Sequence, residues 1–349
     1  MTPSPQRITL DDIAREAGVS KNTVSVALRN RPGVGEETRA RIRAIADKLG
    51  YRPNPMISAL MRDLRGRQPG APVINLAFLH VFEDPGEWEN RRYVKETFMG
   101  AERRATQLGY HLSPLWIGQA DLSPKRIHGI LQARGVEGLL LAPLPENIKH
   151  LHLHWEPYAV ATLGYSLMRP AVDRACTHMR HSLEVTVREL RKLGYRRIGL
   201  VISPESDRRT DYAWTAAHAV QVSLHPKLFC PPMIAHDVDP KALSAWLQTE
   251  RPDVVIRCGA RNLGKSLEDL NIRPPEDLGY VDLLASGSPH PDNATMYRLW
   301  DDLGAAAMEI LSARLMQNER GIPVNRRTLL VEGTWHSGTS LRKQRKGEC

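Results

Sequence analysis

From residue 73 to about residue 331 short apolar runs alternate with amphipathic helical stretches, and this alternation restricts the chain to parallel sheets covered by helices on both faces. The spacing predicts strands at 74–79, 111–116, 138–141 and 159–163, with helices at 93–108 and 123–134 between them. A second series follows: helix 182–193, strand 197–202, helices 209–222 and 242–249, strands 254–257 and 278–281, helix 299–317 and strand 328–331. Two such series imply two doubly wound lobes, with a small ligand held at the carboxyl ends of the strands in the cleft between them. The longest apolar runs, 138–144 and 159–163, fall well short of the roughly 20 residues that a membrane-spanning helix needs. Residues 1–10 contain no continuous apolar stretch of the secretory type, so the expected compartment is the cytoplasm.

The charge is not spread evenly. Of the net +9 in 349 residues, residues 1–70 carry 13 Lys+Arg against 7 Asp+Glu, residues 71–341 carry 31 against 31, and residues 342–349 carry 4 against 1. A basic head on a neutral body points to a polyanionic partner for the head. Within it, Leu10, Ile13, Ala14 and Ala17 have helical spacing up to Gly18. Ser20 is placed to cap a second helix over 21–28, in which Val24, Ala27 and Leu28 share the inner face. A third helix is expected over 36–49, stopped at Gly50. Two short helices joined by a glycine turn, the second offering small polar side chains at its start, have the form of a helix-turn-helix. Asn22 carries the amide that pairs with adenine, and Lys21 a donor for guanine. On spacing alone, a three-helix bundle whose polar face simply meets water fits as well.

The run Ile8-Thr9-Leu10-Asp11-Asp12-Ile13-Ala14-Arg15-Glu16-Ala17-Gly18-Val19-Ser20-Lys21-Asn22-Thr23-Val24-Ser25, followed by Thr38-Arg39 and Leu49-Gly50-Tyr51-Arg52-Pro53-Asn54, resembles the headpiece of the lactose/galactose repressor (LacI/GalR) family. The segments Leu193-Gly194-Tyr195-Arg196-Arg197-Ile198-Gly199 and Leu303-Gly304-Ala305-Ala306 extend the resemblance into the body. It implies an α plus α/β fold: a three-helix helix-turn-helix headpiece at 1–52, a hinge helix at 53–65, a linker at 66–72, and a two-lobed, periplasmic-binding-protein-like effector-binding and dimerisation domain at 73–341, before a basic tail at 342–349. The expected lobes are about 73–164 with 294–321 and about 165–293 with 322–341. The resemblance places Lys21 and Asn22 against base edges, Ser20, Ser25, Thr38 and Tyr51 on phosphates, and Leu60 as a minor-groove wedge flanked by Ile57 and Met61. Val26 stands where the family usually has arginine, and its apolar side chain suits a thymine methyl. Thr9, Leu10, Arg29 and Asn54 complete the candidate DNA-contacting set.

The ligand residues depart further from the family. Where its members carry acidic or amide groups after the strands ending at 163 and 257, this chain has Gly164 and Cys258-Gly259, keeping Arg209 and Asp282 of the usual set. Arg209 and Asp282 are expected to clamp a polar effector, a sugar or related molecule, with His80, Trp88 and Tyr165 as cleft neighbours. His150, His152 and His154 would share one face of a strand and so invite a transition metal, but Leu151 and Leu153 equally mark a half-buried segment. Four cysteines without a Cys-x-x-Cys pair read as reduced thiols, and no metal or cofactor is expected. Hydrolase, zincin and phosphate-loop signatures are lacking, so the expected activity is not enzymatic. The implied partners are an operator duplex, a small-molecule effector and a second copy of the chain, with no membrane. The rival is a two-lobed small-molecule-binding protein or enzyme without a DNA role, which would have no use for residues 1–62.

Overall fold

A computed structural model describes residues 10–28, 33–49, 51, 73–119, 122–283, 293–297 and 300–344, with Asn22 and Tyr297 described by backbone alone. The expected hinge helix and linker, and with them Asn54, Ile57, Leu60 and Met61, lie outside those residues, as do Thr9 and Arg29. The head has helices α1 (Leu10–Ala17), α2 (Lys21–Leu28) and α3 (Glu36–Lys48) around Ile13, Ala14, Ala17, Val24, Ala27, Ile42 and Ala46.

The body contains two six-stranded sheets. The first is built from β1 (Ile74–His80), β2 (Tyr110–Trp116), β3 (Val136–Leu141), β4 (Ala159–Leu163), β5 (Asp173–Thr177) and β11 (Thr328–Val331), in the order β2-β1-β3-β4-β5-β11 and parallel throughout. The second is built from β6 (Ile198–Ile202), β7 (Met233–Ile234), β8 (Val254–Cys258), β9 (Gly279–Asp282), β10 (Ala294–Tyr297) and β12 (Thr334–His336), in the order β7-β6-β8-β9-β10-β12, with only β12 antiparallel.

Helices α4 (Glu87–Asn90), α5 (Arg92–Gln107), α6 (Pro124–Ala133), α7 (Met179–Leu193), α8 (Pro204–Arg209), α9 (Ala213–Leu224), α10 (Pro240–Glu250), α11 (Leu263–Asp269) and α12 (Trp300–Gln317) cover them. Side chains that start α6 and α10 satisfy free amides: Ser123 Oγ accepts from the amide of Arg126 at 3.3 Å, and Asp239 Oδ2 from that of Ala242 at 3.0 Å. α5 and α12 meet backbone to backbone, since a Cβ on Gly304 would stand 1.9 Å from the Thr97 carbonyl oxygen and one on Gly100 1.9 Å from that of Asp301.

The helix expected at 209–222 starts later, at Ala213, and a separate short helix, α8, ends at Arg209. Asp207, buried, turns its carboxylate onto the amides of Trp214 (3.0 Å) and Thr215 (3.2 Å), capping α9, and Asp211 and Tyr212 between the helices adopt positive φ of 57° and 58°. The expected lobe boundaries also move. β5 and β11 pair in the first sheet and β10 in the second, so the chain crosses between lobes from β5 to α7, from β10 to α12, and from β11 to β12. β5 escaped the hydropathy reading because Asp173 and Arg174 interrupt its apolar pattern, and β10 and β12 because they are short.

Asp173 explains its own burial. Arg314 of α12 donates to it at 3.0 Å, the two side chains being 3% and 2% exposed, and the amide of Arg327 donates at 2.7 Å, so one carboxylate joins α12, β5 and the approach to β11. Breaking such a pair leaves an uncompensated buried charge. Arg314→Met is therefore expected to lower unfolding free energy by about 3–5 kcal/mol in urea titrations. Arg15→Met, which removes an exposed ion pair with Asp12, should change it within experimental scatter.

Candidate DNA interface and ligand cleft

In the head, α1 ends where Gly18 takes a φ of 64°, and the amide of Val19 closes the turn on the carbonyl of Ala14 at 3.1 Å. Ser20 then starts α2, its hydroxyl accepting the amide of Thr23 at 3.0 Å. Val24 and Ala27 are buried against α1 and α3, which turns the other side of α2 outward. Lys21 and Ser25 lie one turn apart, as do positions 22 and 26. Lys21 is exposed with its ammonium 2.7 Å from Asp11, an ion pair weak enough in water to give way to a duplex. Ser20 is exposed, Ser25, Val26 and Thr38 are half-buried, and Leu10 and Tyr51 pack against the core.

In the body, each sheet has a switch point where strand order reverses, between β1 and β3 in the first lobe and between β6 and β8 in the second. The loops that leave these points meet. Arg209, at the end of α8, donates to the carbonyl of Leu144 beyond β3 at 2.9 Å. Arg261, beyond β8, lies 3.7 Å from Glu146. Glu146 also lies near Glu205 of α8, among Arg209, Arg261 and His236. His236 stands 3.1 Å from Glu205. The lobes are thus drawn together by charged side chains at the strand ends.

The expected effector residues divide. Arg209 and Tyr165 are half-buried at this junction, Tyr165 directly after β4. Asp282 is not free to grip hydroxyls: the parallel register sets it beside Arg257 of β8, whose guanidinium holds it in a buried ion pair. Trp88 belongs to the core rather than to the cleft, its ring 4.9 Å from Phe98 and 6.2 Å from Phe78. His80 is 2% exposed among Phe82 and Trp88, its Nδ1 has no hydrogen-bond partner, and burial pushes its pKa down to about 4. The sequence reading missed Glu146, Glu205, Arg257 and Arg261; each sits on or just beyond a strand end, the position that could have singled them out.

Residues 150–154 form no strand: His150 makes one isolated bridge to Arg169, and His154 faces His128 with ring centres 5.3 Å apart. Among the described residues no cluster of His, Cys, Asp and Glu could hold a metal ion, and no helix is long and apolar enough to cross a membrane. Cys176, Cys230 and Cys258 are buried.

A small head that turns one rim of its second helix outward, carried on two lobes that meet at their strand ends, is the arrangement of an effector-controlled regulator of transcription. Residues 9–54 match the family described as bacterial regulatory proteins, lacI family. Over 96% of its length and 97% of the relative's, the chain is 26% identical to the HTH-type transcriptional regulator PtxS of Pseudomonas aeruginosa. The fold is shared with the lac repressor dimer bound to operator and the anti-inducer ONPF (TM-score 0.50, 18% identity, 96% of this chain and 100% of that one). It is shared equally with the transcriptional regulator CelR-cellobiose complex (TM-score 0.51, 18% identity, the same coverage). Residues 9–54 thus form a head of the lacI type, and the chain is a sequence-specific DNA-binding transcriptional regulator whose lobes respond to a small-molecule ligand. The matched head is the part that a solute receptor or enzyme of this shape would not need.

His80 makes the body acid-sensitive. Its folded pKa is depressed, so the neutral ring's contribution is complete above about pH 6.5 and is lost as pH falls toward 4. His80→Gln should flatten this part of the stability profile, by on the order of 2–3 kcal/mol between pH 7 and pH 4, in chemical unfolding across pH. His218, also depressed by burial, supplies a residual slope of the same sign.

Proposed function

We propose that this regulator acts as a homodimeric repressor, each copy reading one half-site of a pseudopalindromic operator. The supporting observation is the rim of α2 after the Gly18 turn, where Ser20 fixes the helix start and positions 21, 22, 25 and 26 fall on or beside one outward side. Lys21 and Asn22 read base edges, Val26 meets a thymine methyl, and Ser20, Ser25, Thr38 and Tyr51 hold phosphates, with Thr9, Leu10, Arg29 and Asn54 at the margins. A head this small reads few bases, so a two-fold mate supplies the rest of the affinity, as in the lac repressor dimer bound to operator.

Residues 1–52 are the head, 53–65 the hinge helix, 66–72 the linker and 73–341 the effector and dimerisation domain, with a basic tail from 342. A hinge helix of two to three turns is unstable alone and orders only against its mate on DNA, where Leu60, flanked by Ile57 and Met61, wedges the minor groove. The effector sits between the lobes near Tyr165 and Arg209. Its binding changes lobe closure, closure changes the spacing of the two hinge helices, and operator affinity follows.

Asn22→Ala should cost about 1–3 kcal/mol on a selected operator and almost nothing on random duplex, measured by fluorescence anisotropy at fixed salt. An equal loss on both would remove Asn22 from base reading. Arg209→Ala should retain operator binding and lose its response to effector; a fully responsive variant would move the pocket away from Arg209.

A further inference from the structure

Arg174 stands apart from the other buried cations of the body. It is 2% exposed near the start of β5, yet no carboxylate among the described residues is paired with it. Its Nη2 donates to the carbonyl of Leu167 at 3.1 Å, its Nε has no partner, and its guanidinium lies under the ring of Tyr165, 5.6 Å from the centroid. The groups beside it do not neutralise it. Burial pushes both the Tyr165 phenol and the Cys176 thiol up to about 12, so both are uncharged at neutral pH. Burial, followed by the positive charge of Arg326, lowers the Arg174 pKa, outweighing the opposite effect of Asp211 of the second lobe.

The position is at the ligand cleft. Arg174 pairs in register with Thr162 of β4, one residue from the carboxyl end of that strand, after which Gly164 and Tyr165 turn into the cleft. A Cβ on Gly164 would meet nothing within 4 Å, so there is open space at the position where the family resemblance leads one to expect an acidic side chain. Asp282, the other acidic group expected for hydroxyl recognition, is taken by Arg257.

Resting on the assignment of the cleft as effector site, we infer that Arg174 is an anion receptor and that the effector carries a carboxylate or phosphate group that this guanidinium binds after Tyr165 moves aside. A buried cation without a counterion costs stability, and a bound anion restores the balance by charge-assisted, bidentate hydrogen bonds. Acidic effectors are thereby favoured over neutral sugars of the same shape.

The test uses the full chain and a panel of sugar acids, with D-gluconate as the carboxylate probe, D-glucose 6-phosphate as the phosphate probe and D-glucose as the neutral control. Thermal shift and operator affinity are followed for each. At least one acid is expected to raise the melting temperature and alter operator affinity where D-glucose does neither; the responding arm tells carboxylate from phosphate. Arg174→Met should weaken that acid by on the order of 10- to 100-fold. It should leave the unliganded protein melting at the same temperature or higher, because it deletes an uncompensated charge. A variant that melts lower, or that binds the acid unchanged, overturns the inference whatever ligand is used. Neutral sugars acting as well as acids would overturn it while leaving the cleft as effector site, whereas no response to any small molecule would count against both.

Discussion

Parallel strand pairing is the constraint from which the rest of the body follows. Because eleven of the twelve strands run parallel within their sheets, each lobe delivers its loops to one end, and those ends face each other. Arg209, Glu205 and Arg261 come from the ends of β6 and β8, and Leu144 and Glu146 from the end of β3, so contacts between lobes are contacts between switch points. A ligand held there bears on both lobes at once. Any change in closure is carried through the three crossings of the chain, the first and third of which lie side by side, with His178 3.4 Å and His181 3.6 Å from Glu332.

Buried charge is handled differently at three points, and the difference separates architecture from recognition. Arg314 and Asp173 neutralise each other and tie α12 to β5, as Arg257 and Asp282 tie β8 to β9. Removing one partner of either pair strands the other. Arg174 has no such partner among the described residues, although it directly follows Asp173. Successive residues of a strand point to opposite faces, so Asp173 reaches α12 on one side of the sheet while Arg174 is left beneath Tyr165 on the other. Its bond to the Leu167 carbonyl and its contact with the Tyr165 ring leave the charge itself uncompensated among the described residues, a cost that binding of an anion would recover.

The head and the outline of the body were legible because their signals are local. α1 and α2 begin and end where Ser20 and Gly18 require, and β4 and β11 coincide with their apolar runs. The misreadings share a cause. β5 hides behind two charged residues, one of them held by a distant helix, and α9 starts at Ala213 rather than at 209 because the carboxylate of Asp207, before the expected stretch, caps it there. Trp88 and His80 look like cleft residues by their chemistry, but Phe78, Phe98 and Phe82 enclose them.

By itself the amino-acid sequence determined the helix-turn-helix, the βα alternation and the charge divided between a basic head and a neutral body, because caps, glycine turns and hydrophobic periods act over a few residues. Only the tertiary structure decided which strands share a sheet, that Asp282 is spent on Arg257, that Arg209 reaches Leu144, and that Arg174 is buried without a counterion among the described residues. Those outcomes depend on register and enclosure between segments far apart in the chain, and pairing over such distances leaves no periodicity for a single sequence to display.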